Sequence, residues 1–159
     1  MWLTRRSPLK RLIFDLRISS RPFLQKLSNV HFSTVKTKLR KREPLLQALE
    51  DLGYVPQEGK SLVRGYRGQT VSAEMSVTMP KGEGDIGFRW NDATQSYELV
   101  TDLDLWKQPV PVERFLDQLT QRYALNTVLS ATSKEGFELA EQKSNLDGSI
   151  ELVVTRWDP

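Results

Sequence analysis

Val71, Ala73, Met75, Val77 and Met79 alternate with Ser72, Glu74, Ser76 and Thr78. Successive side chains of a strand point to opposite faces, so this period of two predicts a strand with one buried and one wet face. Half-wet strands belong to antiparallel sheets, because strands of an all-parallel sheet are covered on both sides. Ile86, Phe88 and Trp90 repeat the alternation, Asn91 to Gln95 read as a turn, and Tyr97, Leu99, Thr101 and Leu103 continue the hairpin.

Other segments fit around that sheet. His31 to Leu39 reads as a strand, with Val35 and Leu39 on one face and Phe32 on the other. Glu43-Pro44 opens a helix whose apolar stripe is Leu45, Leu46, Leu49 and Leu52, with Gly53 as its stop. Residues 61–66 read as a short strand and Arg67-Gly68 as a turn. Beyond Pro109 and Pro111, Val112, Phe115, Leu116, Leu119 and Tyr123 sit at helical spacing. The stripe then drifts to Leu125, Val128 and Leu129, with Gly136 as the stop. Phe137 to Lys143 and Ser149 to Trp157 read as strands joined around Asn145-Leu146-Asp147-Gly148, where Asp-Gly is a hairpin signal. The order is β-α-β-β-β-β-α-β-β. Its short connections predict an α+β fold, a mostly antiparallel sheet with two helices packed on one face.

The 159-residue chain carries 23 Lys+Arg against 20 Asp+Glu, but the charge is polarised along its length. Residues 1–30 hold Arg5, Arg6, Lys10, Arg11, Arg17, Arg21 and Lys26 against Asp15 alone. Lys36, Lys38, Arg40, Lys41 and Arg42 follow without an acid among them. From residue 43 onward there are 11 basic and 19 acidic groups. The expected organisation is a basic N-terminal extension over 1–30, disordered or outside the natural product, and one α+β domain over 31–159. The Arg- and Ser-rich leader has the composition of an organelle transit peptide, and a basic arm on a membrane surface is an alternative. No segment approaches the ~18 apolar residues of a membrane span.

Composition excludes several chemistries. The chain has no cysteine, which removes disulfides, thiolate metal sites and a cysteine nucleophile, and its one histidine is His31. Gly59-Lys60-Ser61 looks like the end of a phosphate loop, but position 54, where a glycine is required, is Tyr54, and a strand follows instead of a helix. Gly82-Glu83-Gly84-Asp85-Ile86-Gly87 matches a dinucleotide fingerprint but also leads into a strand, and Glu83 and Asp85 would repel a pyrophosphate. Asp102 and Asp104 are paired carboxylates, read as the solvent face of an edge strand. Tyr66, Phe88, Trp90 and Tyr97 could stack bases, yet core packing accounts for most of them. No cofactor and no metal site follows from these residues.

Five segments together carry a resemblance: His31-Phe32-Ser33-Thr34-Val35-Lys36-Thr37, Asp85-Ile86-Gly87-Phe88-Arg89-Trp90-Asn91, Tyr97 to Leu103, Gln121-Arg122-Tyr123-Ala124, and Asp147-Gly148-Ser149-Ile150 leading to Arg156-Trp157. The chain resembles the hypothetical chloroplast reading frame thirty-five family of cyanobacteria and algal plastids over roughly residues 31–158. The resemblance implies a soluble cytoplasmic or stromal protein and no activity or cofactor that can be carried over. It also implies a start near the S-H-F segment, where Asn29-Val30 stand here in place of Met-Ser. The function expected is a non-enzymatic accessory or protein-interaction factor whose partner is another protein. One alternative is a small enzyme with a polar site assembled by tertiary structure from His31, Arg64, Arg89, Asp102 and Asp104. Another is an RNA-binding module using residues 36–42.

Overall fold

A computed structural model describes residues 9–17, 24–26 and 32–158. The fold is α+β: the described residues form two α-helices and nine strands, every pairing antiparallel. From residue 32 onward the elements follow the expected order: β3 (Phe32–Lys36), α1 (Arg42–Asp51), β4 (Pro56–Arg64), β5 (Thr70–Val77), β6 (Ile86–Asn91), β7 (Ser96–Asp102), α2 (Val112–Lys134), β8 (Glu138–Ser144) and β9 (Ile150–Trp157). Ahead of them lie two strands that periodicity did not assign, β1 (Leu9–Leu16) and β2 (Leu24–Lys26). The strands form two sheets, ordered β1-β9-β8 and β2-β3-β7-β6-β5-β4. Contacts divide the chain into two compact units, Ser19–Tyr123 and Met1–Ile18 with Ala124–Pro159.

In the larger unit both helices pack on one face of the six-stranded sheet. Leu45, Leu46, Ala48 and Leu49 of α1 and Val112, Phe115, Leu116 and Leu119 of α2 share one core with Val35, Met75, Val77, Ile86, Phe88 and Leu99. Each large side chain so covered contributes about 1.5–3 kcal/mol. Phe115 is the hub of the aromatic part, with the Tyr54 and Trp106 rings edge-on at 5.4 and 5.5 Å. Gly53, at φ 89°, ends α1 in the left-handed region that favours glycine.

The second face is closed by the chain itself. The alternation of residues 71–79 predicts one continuous buried face, but the structure divides it. Met75, Val77 and Met79 join the helix-covered core, whereas Val71 and Ala73 pack with Phe32, Val63 and Val100 in a second cluster. The reason is register: β5 pairs with β6 only from Met75 to Val77, and then follows β4 away from it. The departing hairpin folds across β3, β7 and β6. Two glycines admit it. A Cβ at Gly87 would stand 2.3 Å from a Val63 methyl carbon, and one at Gly65 would stand 2.7 Å from the Phe32 ring.

In the smaller unit, β9 is the central strand, paired with β1 from Leu9↔Trp157 to Leu16↔Ile150 and with β8 on its other side. Leu125, Val128 and Leu129 of α2 pack with Phe14, Leu16, Ile150 and Leu152. The drift in the α2 stripe is therefore a change of core within one unbroken helix. The β8–β9 turn is held by Asp147, whose carboxylate accepts from the Ser149 N–H and Oγ–H, with Gly148 at φ 83°. Those two bonds outweigh desolvation and hold the Asp147 pKa below the ordinary carboxylate value.

Candidate functional site

Three of the five sequence candidates meet where the turn end of the β4–β5 hairpin folds down, near a fourth residue that the sequence reading weighed as a repellent charge and as part of a resemblance segment, not as a site residue. That residue is Asp85, just 2% exposed. Its Oδ1 accepts from the Met79 N–H and from Arg64 Nη2, and its Oδ2 accepts from the Arg64 N–H and Nε. Arg64 Nη2 also reaches the Met79 carbonyl, and the Asp85 N–H donates to the Arg64 carbonyl. Burial by itself would raise the Asp85 pKa. The Arg64 guanidinium and the two backbone N–H groups more than offset it and hold the carboxyl below its ordinary range. Arg64 is correspondingly raised by its bonds and charge contact with Asp85.

Asp102, at the end of β7 beside Gly65, is fully buried, at 0% exposure. Its Oδ2 accepts from the Tyr66 N–H, and its Oδ1 from the Asp104 N–H. The expectation of a wet edge strand is corrected here. Asp102 ends β7, an interior strand, and caps the 3-10 turn Leu103–Leu105, which contains Asp104. The two buried carboxylates thus take the Arg64 and Tyr66 N–H groups and tie the hairpin down. Arg89 is elsewhere on the sheet, 3.5 Å from Glu98 Oε2, and Glu98 also accepts from Asn91 Nδ2. His31 lies outside the described residues. Phe88 and Tyr97 are core residues, not a stacking platform.

The chemistry open to this cluster is narrow. A carboxylate offers about four lone-pair sites, and four N–H donors occupy those of Asp85. Nothing remains there for a metal or for abstracting a proton from a substrate. Among the described residues no group of three or more His, Asp or Glu side chains could hold a metal ion. The cluster is a latch. Sequence reasoning missed Asp85 because its partners, Arg64 and Met79, come from strands that only the fold brings beside it.

The outward-facing feature is in the smaller unit. Leu9, Leu12, Ile13, Leu139, Leu146 and Trp157 are exposed there, Ile13 by 58% and Trp157 by 68%. They are most of the exposed large apolar side chains among the described residues. Register places Leu9 opposite Trp157 and, four residues on, Ile13 opposite Val153, so Leu9, Ile13 and Trp157 share a face. Leu12 and Leu139 flank Val154 on the other face. β8, at the sheet edge, is exposed at every residue.

A family model described as "Protein of unknown function (DUF1257)" matches residues 48–153. The chain is 39% identical over 129 residues to "Uncharacterized protein ycf35" of Pyropia yezoensis, covering 80% of this chain and 98% of that protein. It is 39% identical over 130 residues to the protein of the same name from Guillardia theta, covering 81% and 98%. The Cyanophora paradoxa protein is 38% identical over 127 residues, covering 80% and 97%. The chain belongs to this family. No solved structure matches it.

The family's marker segments have structural duties in this chain. In the D-I-G-F-R-W-N segment, Asp85 is the latch, Gly87 admits Val63, and Ile86 and Phe88 fill the core. In the Tyr97–Leu103 segment, Asp102 is the second latch. The D-G-S-I segment builds the β8–β9 turn. No helix among the described residues is long and apolar enough to cross a membrane.

Proposed function

We propose that this ycf35-family chain is a non-enzymatic interaction factor of the plastid stroma or cyanobacterial cytoplasm, docking another protein through the sheet β1-β9-β8. The observation that carries this reading is the concentration of exposed apolar side chains on that sheet, with Trp157 and Ile13 the most exposed of those on its strands. Exposed apolar groups clustered on one element are the usual footprint of a protein interface, and tryptophan is prominent among binding hot spots. The buried carboxylates at the turn end of the β4–β5 hairpin support it from the other side, since their hydrogen-bonding capacity serves the fold.

Affinity capture from a native extract, with the intact chain and with Ile13→Ser/Trp157→Ser as bait, tests the reading. The expected result is a defined partner retained by the natural chain and lost by the double variant. A chain that elutes alone under gentle conditions, or a partner held equally by both baits, overturns it.

A further inference from the structure

The β3–α1 connection carries a second surface. Lys36, Lys38, Arg40, Lys41 and Arg42 are all exposed, whereas Thr37 is half-buried and Leu39 is fully buried. The connection is pinned along its backbone. Thr37 Oγ1 donates to the Tyr97 carbonyl, the Leu39 carbonyl accepts from the Tyr97 N–H, and Tyr123 Oη accepts from both the Arg40 and Lys41 N–H groups. Along the connection exposed residues alternate with covered ones, which leaves Lys36, Lys38 and Arg40 on the solvent side. The row runs into the N-terminus of α1, where Lys41 is the N-cap and makes no side-chain cap.

Positive side chains at a helix N-terminus oppose the helix dipole, and a run of like charges repels itself. Their acidic neighbours do not relieve the row. Glu58 pairs with Arg42, and Glu98, opposite Lys36, is taken by Asn91 and Arg89. Glu43 lies in the first turn of α1. Among the described residues no acidic group forms an ion pair with Lys36, Lys38, Arg40 or Lys41. A rigid backbone that presents uncommitted like charges is preorganised for a partner of opposite sign.

We infer that the pinned row Lys36–Arg42 is a docking site for an acidic segment of a partner protein. This rests on the reading of the chain as an interaction factor and adds the charge of what it binds. A protein is favoured over RNA for two reasons. Residues 43–159 hold 19 acids against 11 bases and would repel a long polyphosphate crossing them. Phe88 and Tyr97 are buried and offer no ring face for bases, and the half-buried Trp90 packs edge-on against Tyr97.

The test is fluorescence anisotropy on the purified full chain, with a labelled oligoglutamate of about ten residues and an oligouridylate of similar charge. Oligoglutamate is expected to bind, about tenfold more weakly as salt rises from about 50 to 200 mM. Lys36→Gln/Lys38→Gln/Arg40→Gln/Lys41→Gln is expected to weaken binding at least about tenfold with its circular dichroism and melting temperature retained. Lys10→Gln/Arg11→Gln/Arg17→Gln is expected to leave it unchanged. Equal binding by the fourfold variant, loss in the threefold variant instead, or tighter binding of oligouridylate than of oligoglutamate overturns the assignment. Because the probes are defined and no partner is captured, failure here is distinct from failure of the Ile13/Trp157 experiment.

Discussion

The two sheets differ in how they treat their second face. The six-stranded sheet has helices on one side and folds its own β4–β5 hairpin over the other, with Asp85 and Asp102 fastening the hairpin by its backbone. The three-stranded sheet has the second half of α2 against Phe14, Leu16, Ile150 and Leu152, and on its other face it leaves Leu9, Ile13 and Trp157 in water. One sheet uses its buried charges internally; the other keeps its exposed apolar groups available.

The comparison can be broken most forcefully at Phe115. Phe115→Ala removes a ring buried between Tyr54 and Trp106, and unfolding measured by denaturant should lose about 3–5 kcal/mol. Asp85→Ala comes next, at about 3 kcal/mol, because the Met79 and Arg64 N–H groups lose their buried acceptor. Asp85 also gives the larger core a pH dependence. Its carboxyl titrates lower in the folded than in the unfolded chain, so its stabilising effect is complete above the unfolded value of about 4. That effect is lost as pH falls below about 4 through the folded value. Acid unfolding of Asp85→Asn should be flatter over that window than that of the natural chain.

Gly87→Ala sharpens the account of the closed face. The new methyl meets Val63 at 2.3 Å and Ala73 at 3.2 Å, and stability should drop by about 1–3 kcal/mol through overpacking. Lys41→Asp acts in the opposite direction. An acid at the N-cap can accept from the first turn of α1 and complements its dipole, so thermal stability should rise by about 1 kcal/mol while oligoglutamate binding falls. The smallest effect belongs to the open sheet. Ile13→Ser/Trp157→Ser should shift the melting free energy by no more than about 0.5 kcal/mol per site and still abolish partner capture. A large loss of stability there would assign those side chains to the core instead of an interface.

Much of the fold was legible because periodicity is a local signal. The stripes of both helices, the 86–103 hairpin and the Asp-Gly turn are all written in neighbouring residues. The candidate cluster was legible only in part. Arg64, Asp102 and Asp104 were singled out as polar residues, but Asp85 was not, and Asp102 was expected in water. Strand β1 was hidden because a basic, half-apolar stretch reads as a leader, and only its pairing with β9 makes it a strand.

The sequence by itself determined the class of the fold, the order of elements from residue 32, the absence of thiol chemistry and the polarity of charge. All of these follow from composition and short-range spacing. Tertiary structure alone decided that the strands divide into two sheets, that the alternating run 71–79 serves two cores, and that α2 changes core after Tyr123. It also decided which charges are spent on the fold and which stay free. Burial and partnership depend on residues far apart in the chain, and a carboxylate has the same local spacing whether water or four N–H groups surround it.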